Sequence, residues 1–272
     1  MFSNEERYIL QKNQLGDVIC QLRFPEILLI SAQPPVAFQE MIRDEFPQYA
    51  KLNSNPAPKI SGTPGHLSLE NQPATVNHQF VSADGRWRVN LAGNFISLSC
   101  NRYICWEEFA KKLDKPLAAF IKIYKPAFFQ RIGLRYLNFI SRNSLSLEKE
   151  PFCNLINSPY LGLLSEEDIT ESSVTRCTMD AELAIRGGCR AKIHAGPGLI
   201  KKNGSANKEV HFIFDQDLYM PGNVPVNLSA GALQTLHAQA YSIFRGAITD
   251  VLFNAMEPSK QQGDPYALLL RL

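Results

Sequence analysis

Along residues 128–140, FFQRIGLRYLNFI, apolar side chains fall on both faces of an extended chain. Arg131, Gly133, Arg135, Leu137 and Phe139 point one way, and Ile132, Leu134, Tyr136, Asn138 and Ile140 the other. This predicts a central strand buried on both sides, with its arginines near one end. Upstream, Val18, Cys20, Leu22 and Phe24 alternate with Asp17, Ile19, Gln21 and Arg23, a half-buried strand that Pro25 ends. Val36, Phe38, Met41, Ile42 and Phe46 keep a helical spacing that opens at Pro34-Pro35 and stops at Pro47. Three strands follow at 77–82, 86–91 and 95–100, joined by Asp84-Gly85 and Gly93-Asn94, which are hairpin turn signals. Phe109, Leu113, Leu117, Phe120 and Tyr124 then predict a helix from Cys105, kinked or broken in two at Pro116.

After the central strand the order begins again. A linker at 141–159 and a short helical piece at 160–164 precede strands at 174–185, 189–195 and 209–219. A last long helix carries Leu233, Leu236, Ala240, Ile243, Phe244, Ala247, Ile248, Val251 and Leu252 on one stripe. The first strand of each half shares a short string, QLRF at 21–24 and GLRY at 133–136. The expected fold is α+β, with two similar halves at 1–126 and 127–258 and a tail at 259–272. Each half would be a mostly antiparallel sheet of about four strands covered by a long helix. The two sheets could alternatively merge into one curved sheet. Residues 1–15 read as a loosely held arm, and 50–76 as a long loop with a short extended piece at Leu67–Leu69.

Bulk properties narrow the function classes. Apolar residues make up 45% and charged residues 20%, an ordinary globular balance. The net charge is +2, so no overall field favours nucleic acid or an anionic membrane. The N-terminus has no apolar core of the kind secretory signals carry, and no run approaches a membrane span, so a cytoplasmic location is expected. The six cysteines form no C-x-x-C pair and read mostly as small buried apolar residues. Lys111, Lys112, Lys115 and Lys122 lie off the apolar stripe of their helix and read as a solvated face.

No phosphate-loop, dinucleotide, nucleophile-elbow or zinc-protease string occurs. No serine or cysteine is set beside a histidine by a recognisable motif. His237 reads as packing at the edge of the last helix's stripe. The best polar constellation is His211, Asp215 and Asp217, which strand alternation places on one face. Asp-x-Asp at a strand end is one way to hold a hard cation, which makes Asp215 and Asp217 the candidate metal ligands and His211 an extension of the set. Arg131 and Arg135 have two readings. They pair with those aspartates, because a charge buried without a partner costs several kcal/mol, or they grip an anionic ligand in bidentate fashion with Asn138 and His211 nearby.

Four strings span most of the chain: LRFP at 22–25, WEEF at 106–109, R-x-G-L-R-Y-x-N at 131–138, and D-x-D at 215–217 ahead of a long helix. With these the chain resembles a sporadically distributed, uncharacterised bacterial protein family of similar length. The resemblance stops at Pro258. It implies no established activity, cofactor or catalytic residue. The patchy distribution of such a family implies mobile, defence-linked or toxin–antitoxin-like cargo. The expectation is therefore a non-enzymatic protein without a cofactor that binds another protein in a regulatory, immunity or defence role. The alternative is a metal-dependent enzyme or anionic-ligand-binding protein using His211, Asp215 and Asp217 with Arg131 and Arg135. Nucleic-acid binding through the four lysines ranks last, and self-association as a homodimer stays open.

Overall fold

The structure, a computed structural model, describes residues 2–54, 59–63, 66–70, 75–202 and 205–260. Its elements in chain order are β1 (Tyr8–Leu10), β2 (Leu15–Arg23), α1 (Leu28–Ala32), α2 (Val36–Ile42), β3 (Gln48–Ser54), β4 (Lys59–Thr63), β5 (His66–Glu70), β6 (Thr75–Val81), β7 (Trp87–Ala92), β8 (Phe95–Cys100), α3 (Trp106–Tyr124), β9 (Phe129–Ile140), α4 (Phe152–Leu155), β10 (Met179–Ala184), β11 (Arg190–Lys202), β12 (Ser205–Val224), α5 (Ser229–Ala247), α6 (Asp250–Ala255) and β13 (Pro258–Lys260). Nine strands form one antiparallel sheet in the order β10-β11-β12-β9-β2-β8-β7-β6-β3. The merged-sheet alternative is thus the one observed. The reason is local: β2 and β9 pair along most of their length, so no sheet edge separates the two sides.

One face of this sheet is dry. The row Trp87, Cys100, Val18, Tyr136, Gln216 and Ile193 crosses it from strand to strand, every member buried. Helix α3 lays Phe109, Leu113, Leu117 and Phe120 on this face, and α5 lays Leu233, Leu236, Ala240, Ile243 and Phe244 there. The ring pairs Trp87–Phe109, Phe24–Phe120 and Phe214–Phe244 lock these helices to the strands. Phe38 of α2 meets Phe80 on the same face, and Phe152 of α4 meets Phe212.

The opposite face carries the residues of the other parity. On β9 these are Arg131, Arg135, Leu137 and Phe139, all partly or well exposed. The expectation of a central strand buried on both sides is therefore corrected. Leu137 and Phe139 are half-buried there, and Phe139 packs over Gly16 of the neighbouring β2.

Several elements depart from the sequence reading. The N-terminal arm is strapped down, not loose. Ser3 and Ser242 exchange bonds of 2.9 and 2.6 Å, the Tyr241 hydroxyl bridges Glu6 and Tyr8, and β1 pairs with β13. β3, β4 and β5 fall where a long loop was expected. β3 is an edge strand exposed over Gln48–Asn53, so no face of it is buried and no alternation betrays it. α3 runs unbroken through Pro116, whose ring is buried in the core, so packing offsets the missing hydrogen bond. The last helix divides: Ile248 is extended and bridges Ile156, and the Thr249 side chain accepts from Leu252 N to begin α6. β10 starts at Met179, later than predicted, and β12 runs to Val224, beyond the expected 219. The tail beyond Lys260, and parts of the 50–76 segment, lie outside the described residues. No helix among the described residues is long and apolar enough to cross a membrane.

Candidate functional site

The sequence-derived candidates sit on the open face, and their strands are neighbours. Arg131 Nη2 donates to both oxygens of Asp217 at 2.7 Å, and Arg135 donates from Nε and Nη2 to Asp215 at 2.7 and 2.5 Å. Both pairs are diagonal. The residue directly across from Asp217 is Arg135, and that across from Asp215 is Leu137. The Arg131 guanidinium also lies 4.5 Å over the Tyr219 ring. Polar and charged side chains continue outward across β11 and β10. His194 stands opposite Asp215 and lies 2.7 Å from Asp180, while Lys192 stands opposite Asp217 and 3.8 Å from Glu182.

His211 does not join the aspartates. Its Nδ1 is 3.1 Å from the Glu209 main-chain oxygen and its Nε2 3.6 Å from the Glu209 carboxylate. Asn138 belongs to the dry face and donates to Phe214 O at 3.2 Å, so it is separated from the arginines by the thickness of the sheet. Among the described residues, no group of three or more His, Cys, Asp and Glu side chains is arranged to hold a metal ion. Of the lysines on α3, Lys112 pairs with Glu45 at 2.6 Å and Lys115 with Asp44, which neutralises the middle of that row.

A second polar cluster occupies the dry side, where the N-terminal arm, the start of α3, the middle of α5 and the centre of the sheet meet. His237 is stacked on Trp106 with ring centres 4.7 Å apart and planes within 9°. Its Nε2 lies 2.5 Å from Arg7 Nη1, and its Nδ1 2.7 Å from the Tyr136 hydroxyl. A guanidinium can only donate, so Nε2 accepts and the imidazole proton resides on Nδ1, aimed at Tyr136. Arg7 in turn donates to Glu107. Burial and the neighbouring Arg7 cation push the His237 pKa down to about 3, so the ring is neutral. Burial likewise holds the Tyr136 and Tyr103 hydroxyls well above their usual range, and both stay protonated.

Beside this relay lies a pocket of about 90 Å³, walled by Tyr103, Trp106, Tyr136, Phe244, Leu15 and the β1 segment. Gln216 lines it, is 2% exposed, and has a buried Oε1 with no hydrogen-bond partner. A β-bulge in β2 shapes this end: the register shifts between Leu15 and Asp17, and a Cβ at Gly16 would meet the Phe139 ring at 2.4 Å.

Sequence reading missed Arg7, Tyr103 and Gln216; His237, read as packing at the edge of the last helix's stripe, is stacked on Trp106. Two signals were present. Trp106 and Glu107 open the WEEF string, and Tyr136 and Asn138 close R-x-G-L-R-Y-x-N, so two motifs more than twenty residues apart contribute to one cluster. Gln216, the middle residue of D-x-D, is a polar side chain on the dry face of an otherwise apolar strand. No family model matches the chain, and no curated protein matches it.

Proposed function

We propose that this protein is a binding protein whose ligand site is the pocket between the N-terminal arm, the sheet centre and α5. The aromatic wall that Tyr103, Trp106, Tyr136 and Phe244 form around a pocket of about 90 Å³ carries this reading. The neighbouring polar groups serve structure and polarity better than chemistry. His237 is neutral and saturated at both nitrogens, and the tyrosines hold their protons, so neither is poised as a base or nucleophile. The test is calorimetric titration of the full chain with benzene as a pocket filler, beside the variant Ala240→Phe, which occupies the pocket. Heat from wild type and none from the variant supports the reading; no binding to wild type overturns it.

A partner-facing surface favours the regulatory reading as a second function. Leu28 is 74% exposed and Leu29 50%, and Val36 at the start of α2 is exposed as well. An exposed pair of adjacent leucines supports a protein contact at this corner. A protein captured by wild type from its native host and lost by Leu28→Asp/Leu29→Asp, with unchanged melting, supports it; equal capture by both removes it.

The same scaffold also supports duplication. QLRF and GLRY are 112 positions apart (133 minus 21), and Gln21 is the Cα partner of Gly133. A twofold relating two antiparallel copies must cross where a residue faces its own counterpart, and this pair meets that condition. From the centre outward the order is β2, β8, β7, β6 on one side and β9, β12, β11, β10 on the other, first strand beside last in both. Rotating one side onto the other in an experimental structure should need close to a half turn; a rotation far from that discards the duplication.

A further inference from the structure

We infer that β10, the outermost strand of the nine-stranded sheet, docks an extended segment of another protein, one that alternates apolar residues with lysine or arginine and adds itself as a tenth strand. The site is separate from the pocket and from Leu28 and Leu29. β10 pairs with β11 alone, in an uninterrupted register from Met179↔Ala195 to Ala184↔Arg190. In an antiparallel pair every second residue turns its N–H and C=O away from the neighbouring strand. On β10 these outward groups meet no backbone partner among the described residues. Sheet edges are commonly blunted by lysine, proline or a bulge. β10, MDAELA, has none of the three. The chain after it does not cover it either: Ile185 N bonds Cys189 O in a turn that returns directly to β11.

The two faces of β10 define what can pair with it. Met179, Ala181 and Leu183 are half-buried on the dry side, where Ala181 stands opposite the buried Ile193. Met179 and Leu183, with Val174, Cys177 and Ile185 of the adjoining chain, pack against the core and stay partly open to solvent. Apolar side chains beside them extend the dry face by one row. Asp180 and Glu182 lie on the open side. His194 and Lys192 meet them from within the sheet, at 2.7 and 3.8 Å, and the two acidic side chains remain 70% and 44% exposed. Residues 165–184 hold six acidic residues and one basic, Arg176, in a chain whose net charge is +2. A cation is therefore the complementary neighbour on this side. The opposite edge, β3, is exposed on both faces and offers no such division.

A second copy of this chain is the poorer occupant. Two β10 strands joined edge to edge keep the open faces of their sheets on one side, so Asp180 and Glu182 of one copy would sit among those of the other. Like charges opposite one another across a strand pair are destabilising. The acids that keep β10 from pairing with itself thus select a basic strand. Main-chain hydrogen bonds supply the affinity of such an added strand, and its alternating side chains the specificity.

The experiment titrates the full chain with a capped, dye-labelled octapeptide of alternating valine and lysine, followed by fluorescence anisotropy. Two further peptides replace lysine by glutamate or carry a methyl group on every backbone nitrogen. The valine–lysine peptide should bind at least tenfold tighter than either, and amide exchange over 179–184 should slow in its complex. In Asp180→Lys/Glu182→Lys the preference should invert, with the glutamate peptide the tighter. No saturable binding of the valine–lysine peptide, or binding without slowed exchange at 179–184, overturns the inference. Equal binding of the methylated peptide reduces the contact to charge alone and overturns the added strand. Equal affinity for the lysine and glutamate peptides overturns the basic character of the partner. Self-association of the chain with protection of 179–184 assigns β10 to a second copy and overturns it as well. The peptide series and the exchange data on wild type decide the matter even if the double variant fails to fold.

Discussion

The two faces of β9 handle polar groups in opposite ways. On the open face Arg131 and Arg135 meet Asp217 and Asp215 in an array of alternating charge, and the Arg135 side chain remains 44% exposed. On the closed face, a few ångströms away through the same backbone, Tyr136 and Asn138 belong to an enclosed cluster. There the imidazole and the phenols are neutral, and the one cation is balanced by one carboxylate. Water explains the difference. Where it reaches, opposite charges can be placed freely and each pair is worth little. Where it is excluded, a charge is tolerated only with its partner, and a polar atom left over is costly. The first half of the open face shows a third solution, an uncharged ladder in which Asn77 and Gln79 both donate to Asn90 Oδ1 at 3.2 and 3.1 Å.

The sharpest break of this comparison is Glu107→Leu. It strips the anion from Arg7 on the closed side, and chemical denaturation should report a loss of ~3 kcal/mol. A loss below the size seen for open-face variants would mean that the cluster is wetter than its geometry implies. Next comes pH. The folded-state pKa of His237, about 3, lies below its ordinary 6.5, so the unfolded chain binds the proton more readily. The stability this group contributes is complete above pH 6.5 and is lost as pH falls toward 3, at up to ~1.4 kcal/mol per pH unit. Burial raises the Asp17 and Asp114 pKa values, which acts in the opposite direction at the acid end. The slope is therefore best read between pH 7 and 5, and it should become shallower in His237→Phe, the remainder coming from His78, whose pKa burial also lowers.

Tyr136→Phe leaves the His237 Nδ1–H without its acceptor and should lower stability by ~1–2 kcal/mol with little change in the near-ultraviolet signature of Trp106. The smallest effect belongs to the open face. Asp215→Asn should cost no more than ~1 kcal/mol, and the difference should shrink further in high salt. A loss as large as that of Glu107→Leu would erase the distinction between the faces.

Much of the fold was legible because burial leaves a period. β2, β6, β7, β9 and α3 mainly bury one face each, and their apolar residues recur at two or at three to four positions. β3 was not legible because an edge strand buries neither face. The break between α5 and α6 was masked because Ile248, Val251 and Leu252 prolong the helical stripe across it. The open-face ion pairs were within reach of sequence reasoning, since unpaired arginines in an apolar strand require acids and D-x-D supplied them. The closed-face cluster was not. Arg7 lay in a stretch read as a loose arm, and His237 looked like the edge of a stripe. Neither carries any sign of the other, because they are 230 positions apart and meet through their side chains alone.

By itself, then, the chain determined which residues must be covered, which strands must be central and which charges needed partners, because each of these is a local balance of burial against polarity. Only the tertiary structure decided that the strands on both sides form one sheet, that the arm closes over its dry face, and that four distant segments leave one carbonyl unanswered. Enclosure is a property of a closed surface, and no single segment of sequence contains one.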